Sequence, residues 1–220
     1  MGFAHSLARH YLRHRFTVLF AVLLLAIAGH GFVGYVFAVA RPLEWLLGLC
    51  LVGVVFSAQS GGLRWLLGAL AAGSFSGRLM QGLLGHPAPV VVAESLVAAT
   101  CLLATGVAVR RALASGPVDV EHICAALDAY LLAGIAFGVG YFLVESALPG
   151  SFASTSGAPL SPGRAIYFSF VTQATLGYGD IVPTTEQAQG LVIVQGVGGQ
   201  MYLAVLVARL VSLYSARERR

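Results

Sequence analysis

Apolar runs about as long as a bilayer is thick recur along this chain, and they restrict its fold more than any single motif does. They cover residues 16–40, 43–58, 63–84, 90–109, 122–147 and 187–213. About 20 apolar residues in helical form cross a hydrocarbon core of roughly 30 Å. Lipid offers no hydrogen bonds, so each crossing segment must satisfy its own backbone. Runs of this length therefore predict an all-α membrane protein with six transmembrane helices, the second short enough to lie tilted. Composition agrees: 58% of the residues are hydrophobic, 10% are charged, and the mean hydropathy is +0.84. A soluble domain of this size needs a far more polar surface. The first run follows Arg9, Arg13 and Arg15, and Ala38-Val39-Ala40 imitates a signal-peptidase site. At 25 residues (16–40) it is too long for a secretory h-region, and it counts as a span.

Charge placement sets the orientation. All 13 cationic residues are arginines. With the amino terminus cytoplasmic, Arg9, Arg13, Arg15, Arg64, Arg110, Arg111, Arg209, Arg217, Arg219 and Arg220 fall inside, and only Arg41 and Arg164 fall outside. This positive-inside bias predicts cytoplasmic termini on a multi-pass protein of the plasma (inner) membrane. The last arginines are expected among anionic headgroups, so membrane lipid is an expected partner and nucleic acid is not. Cys50, Cys101 and Cys124 sit in apolar runs at no metal-ligand spacing, which predicts packing and no disulfide framework. Gly116-Pro117 marks a linker, here 112–121, between a four-span block (1–111) and a two-span block (122–220).

The segment joining the last two spans is the unusual one. Its first part, "PGSFASTSGAPLSPG", is rich in Gly, Ser and Pro and predicts a flexible outer loop. Ser161-Pro162 then reads as a helix start, with Ser as N-cap and Pro in the first turn. A helix over 162–174 measures roughly 20 Å, too short to cross, so it must dip in and return. After it comes "TLGYGD" at 175–180. Non-helical backbone at membrane depth survives only when buried in protein or lining water. Gly177 and Gly179 can take positive φ without steric cost, so the chain can alternate hands and aim successive carbonyls one way. Several such strands around an axis would form rings of oxygens able to replace the water shell of a monovalent cation. The short helix would aim its negative dipole end at the same place.

On these residues, with Pro183 and the run "VIVQGVGGQMYLAVLVARLV", the chain resembles the potassium-channel pore family over about 122–214. Leu176 stands where Val or Ile is usual. The resemblance implies a homotetramer with one central pore, a re-entrant pore helix at 162–174 and a selectivity filter at 175–180. It implies K⁺ as the permeant ion and no other cofactor. By that match, the carbonyls of Thr175, Leu176, Gly177 and Tyr178 and the Thr175 hydroxyl coordinate K⁺, and Gly179 completes the filter. Gly199, beside Gly198, stands where the family's inner helix often carries a hinge; close helix packing is the bland alternative. Tyr167 and Phe168 stand where an aromatic pair supports the filter tyrosine and Asp180. Phe168 has no polar atom to offer, and Val171 replaces a carboxyl that some members place behind the filter.

Two other classes compete. Gly177-Tyr178-Gly179-Asp180 also reads as the GxGD of intramembrane aspartyl proteases, with Asp128 as the second carboxylate. The order Asp128-Ala129-Tyr130 and the missing Pro-Ala-Leu motif weigh against it. A non-selective cation pore would keep the fold and lose discrimination. The fourth span, "VVVAESLVAATCLLATGVAV", has no arginine before Arg110, so a conventional voltage sensor is not expected. Arg78 and Glu94 are read as a structural pair, and Asp128 and Arg209 as a candidate ion pair near an inner gate. His5, His10, His14 and His122 sit at expected cytoplasmic surfaces, where solvated histidine is the default.

Overall fold

The computed structural model describes residues 14–37, 61–84, 88–114 and 119–218. The expected second span (43–58), Cys50, His5, His10 and the side chain of Arg78 lie outside the described residues. Six α-helices and two short strands make up the described part: α1 (Arg15–Phe37), α2 (Gly61–Leu84), α3 (Ala88–Ala112), α4 (Val120–Ala147), β1 (Phe152–Ser154), α5 (Pro162–Gln173), β2 (Ile181–Pro183) and α6 (Glu186–Glu218). Among the described residues, three stretches are long and apolar enough to cross a membrane: Val90–Ala112, Val120–Ala147 and Glu186–Val211. The chain divides into two compact units, Met1–Leu132 and Ala133–Arg220, with the division inside α4.

In the first unit, α3 buries Ala93, Val97, Thr100, Cys101, Ala104 and Ala108. Their spacing of three and four residues is one helical stripe, and it packs against α2, where Leu96 of α3 lies over the bare backbone of Gly73. The small residues in that stripe let helices approach closely without help from water. Glu121, at the start of α4, accepts from the backbone amides of Phe16 and Thr17, each at 3.1 Å, and from the Thr17 hydroxyl. Those amides are first-turn donors of α1 that no helical carbonyl can reach, so a carboxylate there satisfies them and meets the positive dipole end.

The second unit is built around an aromatic cluster. Tyr141 of α4, Phe152 of β1 and Phe168 of α5 meet with ring centroids 5.2–5.6 Å apart, and Leu160, Ile181 and Ala188 complete the core. Strands β1 and β2 pair antiparallel, with Phe152 opposite Pro183 and Ser154 opposite Ile181. The Gly/Ser/Pro-rich segment, expected to be flexible, is therefore pinned. Glu145 accepts from the amides of Gly150 (2.9 Å) and Phe152 (3.0 Å). The Arg164 guanidinium donates to the carbonyl of Ala158 (2.7 Å) and to the hydroxyls of Ser154 and Ser156. Composition missed this because the order comes from two charged side chains outside the segment, which supply the hydrogen bonds its own residues lack.

Candidate functional site

The short helix α5 starts as its sequence dictates. Ser161 is the N-cap in extended conformation (φ −81°, ψ 162°), its hydroxyl accepts from the Arg164 amide, and Pro162 needs no partner at the first position. Twelve residues later it ends in a motif the sequence does not advertise. The Leu176 amide donates to the Val171 carbonyl at 2.9 Å and the Thr175 amide to the Thr172 carbonyl at 3.0 Å. Those two bonds define a Schellman cap. The residue it forces left-handed is Thr175, at φ 58°, where glycine is usual. A β-branched residue in that region is strained, and such strain persists only where the surroundings over-determine it.

From there the backbone alternates. Thr175 (φ 58°), Gly177 (φ 61°) and Gly179 (φ 73°) are left-handed, and the intervening Leu176 and Tyr178 are not. Alternating hands align successive peptide groups, so amides face one way and carbonyls the other. The carbonyl side of 175–178 is a row of partial negative charge, continued by the negative end of α5. Residues 174–179 are all exposed within the single chain, Leu176 at 55% and Tyr178 at 65%, although α5 behind them is largely buried.

The supporting residues divide. Tyr167, on the exposed face of α5, has its hydroxyl close to the Asp180 carboxyl. One Asp180 oxygen, Oδ1, has no hydrogen-bond partner among the described residues. Val171 is buried and apolar, and offers it none. Phe168 is buried in the aromatic cluster with Tyr141 and Phe152. The Asp180 backbone is tied down: its carbonyl accepts from the Thr155 amide at 3.0 Å, immediately before β2.

Gly198 and Gly199 lie inside the uninterrupted helix α6. Around Gly198 there is open space, whereas a Cβ on Gly199 would stand 3.0 Å from Cγ of Gln173. Asp128 is fully buried, and neither carboxylate oxygen has a hydrogen-bond partner among the described residues. It belongs to the first unit and Arg209 to the second.

Sequence reasoning passed over a buried polar cluster behind the filter. The Tyr141 hydroxyl donates to Oε1 of Gln195. The Gln195 amide group donates to the Ser169 hydroxyl (2.6 Å) and to Oε1 of Gln173 (2.9 Å), and the Ser169 hydroxyl donates to the Gly134 carbonyl (2.6 Å). All four side chains are at most 2% exposed. The signal was available: a glutamine inside an apolar run is costly in lipid unless tertiary contacts satisfy it.

Comparison with known proteins covers this same part of the chain. A family model described as "Ion channel" matches residues 129–216. The two pore potassium channel c of Oryza sativa subsp. japonica is 39% identical over 83 residues, 38% of this chain and 18% of that protein. The two-pore potassium channel 4 of Arabidopsis thaliana is 50% identical over 48 residues, 22% of this chain and 17% of the relative. The inward rectifier potassium channel Kirbac3.1 of Paramagnetospirillum magnetotacticum is 30% identical over 90 residues, 39% and 27% of the two chains. This chain thus spans less than a third of the length of these relatives. No solved structure matches. These relatives are channels and not enzymes, which leaves the protease reading of Gly177–Asp180 without support among them. Residues 129 to 216 are thus similar to the ion channel family model, and the relatives matched over this part are named as potassium channels.

Proposed function

We propose that four copies of this chain assemble around a central axis and conduct K⁺ through stacked rings of carbonyl oxygens from Thr175, Leu176, Gly177 and Tyr178. The observation that carries this reading is the left-handed alternation at 175, 177 and 179, placed at the end of a helix of 12 residues. A helix of that length spans only about 18 Å, so in a bilayer the following strand lies at depth. Its exposed polar backbone needs protein or water around it there, and further copies of the same strand supply both. The outer helix and inner helix differ in the same sense. Over their spanning windows α4 is 61% buried and α6 only 6%, which leaves Ile193, Val197, Met201 and Val205 available to neighbouring copies or the pore. The Thr175 hydroxyl donates to the Ala174 carbonyl at 2.7 Å, so its lone pairs stay available to a cation.

The remaining assignments follow from this reading. We read six spans in the sequence, three of which, Val90–Ala112, Val120–Ala147 and Glu186–Val211, are long and apolar enough among the described residues, and the arginine bias supports cytoplasmic termini in the plasma (inner) membrane. Helix α3 carries its arginines, Arg110 and Arg111, only in its last turn, so the channel lacks the moving charges of a voltage sensor. The test is ion flux from liposomes containing purified protein, with K⁺, Rb⁺ and Na⁺ compared. The reading expects K⁺ and Rb⁺ flux well above Na⁺ flux. Equal K⁺ and Na⁺ flux would replace it with a non-selective pore, and no flux would remove it.

A further inference from the structure

We infer that Gln173 is the point at which α6 holds the inner end of the filter, and that Gln195 and Gln200 are the positioning residues that grip it. The inference rests on the channel reading above and goes beyond it, because it assigns a role to residues that touch no ion.

Three consecutive contacts of α6 converge on this one residue. Gln195 donates from its amide to the Gln173 side-chain carbonyl at 2.9 Å. Gln200 donates from Nε2 to the Gln173 main-chain carbonyl at 3.2 Å. Between them Gly199 presents bare backbone, close enough that a Cβ would stand 3.0 Å from Gln173 Cγ and 3.4 Å from its carbonyl oxygen. Positions 195 and 200 are about 7.5 Å apart along a helix axis, so they hold Gln173 at two heights. A slide or turn of α6 cannot keep both bonds.

The held residue is the last of α5 and stands two positions before Thr175, the first filter residue. The cap that forces Thr175 left-handed hangs on the carbonyls of Thr172 and Val171, in the same turn. Displacing Gln173 therefore displaces the cap and with it the first oxygen ring.

The donors run in one direction, which fixes the Gln195 amide. Ser169 spends its hydrogen on the Gly134 carbonyl, so it must accept from Gln195 and the amide nitrogen must face it. The Gln195 oxygen is then left for the Tyr141 hydroxyl. Every hydrogen of this hydroxyl–amide–hydroxyl chain is placed, and α4 backs the grip that α6 applies. Satisfied buried networks hold one geometry, whereas a missing member leaves its partners unpaired.

The experiment uses the full chain in liposomes. K⁺ flux is measured across a range of external K⁺ to find the concentration that half-supports conduction, with thermal unfolding of the same preparations alongside. Gln200→Leu removes the donor on the main-chain carbonyl at an exposed position, and Gln195→Met keeps length while removing both the donor and the acceptor of the side-chain amide. Val194→Ala, at an exposed apolar neighbour on α6, is the control. Loss of one net hydrogen bond at the filter's base is expected to raise the half-supporting K⁺ by about fivefold. The control should match the parent. A purely structural role would lower the unfolding temperature and leave the K⁺ dependence of the remaining channels unchanged, and that result overturns the inference. Should Gln195→Met fail to fold, Gln200→Leu decides alone. A parent protein without K⁺ flux overturns the channel reading and this inference with it.

Discussion

Gly138 lets α4 and α5 approach more closely than any side chain would allow, and Gly138→Ala tests the packing that sets the filter's position. An ideal Cβ at 138 stands 2.6 Å from Cα of Ile166, 2.8 Å from its Cγ1 and 3.0 Å from its amide nitrogen. Carbon atoms rest at about 3.5–4.0 Å, so the two backbones must part by roughly 1 Å. The nearest obstacle is main chain, and no rotamer change relieves it. Nor is α5 free to retreat, because Ser169 is bonded to Gly134 and Phe168 is enclosed by Tyr141 and Phe152. Overpacking of this kind costs about 1–3 kcal/mol. Alanine also gains about 0.8–1 kcal/mol of helix propensity over glycine, which would mask part of the clash. Gly140→Ala supplies the correction. It lies in the same helix, and its Cβ would meet only Leu191 Cδ2 at an ordinary 3.9 Å. The difference between the two variants cancels propensity and leaves the clash. At about 2–4 °C per kcal/mol for a chain of this size, Gly138→Ala should unfold about 2–12 °C below Gly140→Ala. Thermal unfolding of the purified protein in one detergent reads this directly. Equal unfolding temperatures would refute the close approach of the two helices.

At Gly177, φ 61°, an added Cβ meets nothing within 4 Å in its own chain, so Gly177→Ala reads conformational strain alone, about 1–2 kcal/mol per copy; it should lower K⁺ flux from liposomes at least about tenfold, and parent-level flux would contradict the filter reading. Tyr167→Phe removes the hydroxyl beside Asp180 while keeping the ring, and should hasten loss of conduction in low external K⁺; unchanged kinetics would show that this hydroxyl does not support the filter. Phe168→Trp enlarges a residue already enclosed by two rings, so it should lower the unfolding temperature at a cost of about 1–3 kcal/mol, and a more stable variant would refute the enclosure. Before α4, the side-chain hydrogen bond from His122 (2.7 Å), with Arg111 at 3.7 Å, holds the Asp119 carboxyl below the usual carboxylate range. A depressed carboxyl contributes stability above its unfolded value of about 3.9 and loses it as pH falls through the folded value. Asp119→Asn should therefore cost up to about 1 kcal/mol at neutral pH, since the carboxyl is exposed, and progressively less as pH falls below the unfolded value of about 3.9; unfolding curves at neutral and at acid pH check this.

How much of this was legible in the sequence depended on whether the signal was local. The start of α5 could be read from Ser161-Pro162, because a cap and a fixed φ act within one turn. The left-handed glycines could be read too, because no other residue takes positive φ without cost. Thr175 could not: its φ of 58° comes from a cap that closes over it and from a helix that grips the turn before it. Phe168 shows the same limit from the other side. Its type and position suggest a support for the filter, but its surroundings are Tyr141 and Phe152, which lie 27 and 16 residues away in the chain. The sharpest case is Gln195. Alone in "LVIVQGVGG" it looks like a defect in a membrane helix, an uncompensated amide among aliphatic side chains. With Tyr141, Ser169 and Gln173 around it, the same amide has every hydrogen and its oxygen engaged. A residue that is a liability in every local frame and satisfied only by three distant ones specifies the tertiary arrangement more tightly than the apolar residues beside it, since aliphatic contacts tolerate a shifted helix and this set of hydrogen bonds does not.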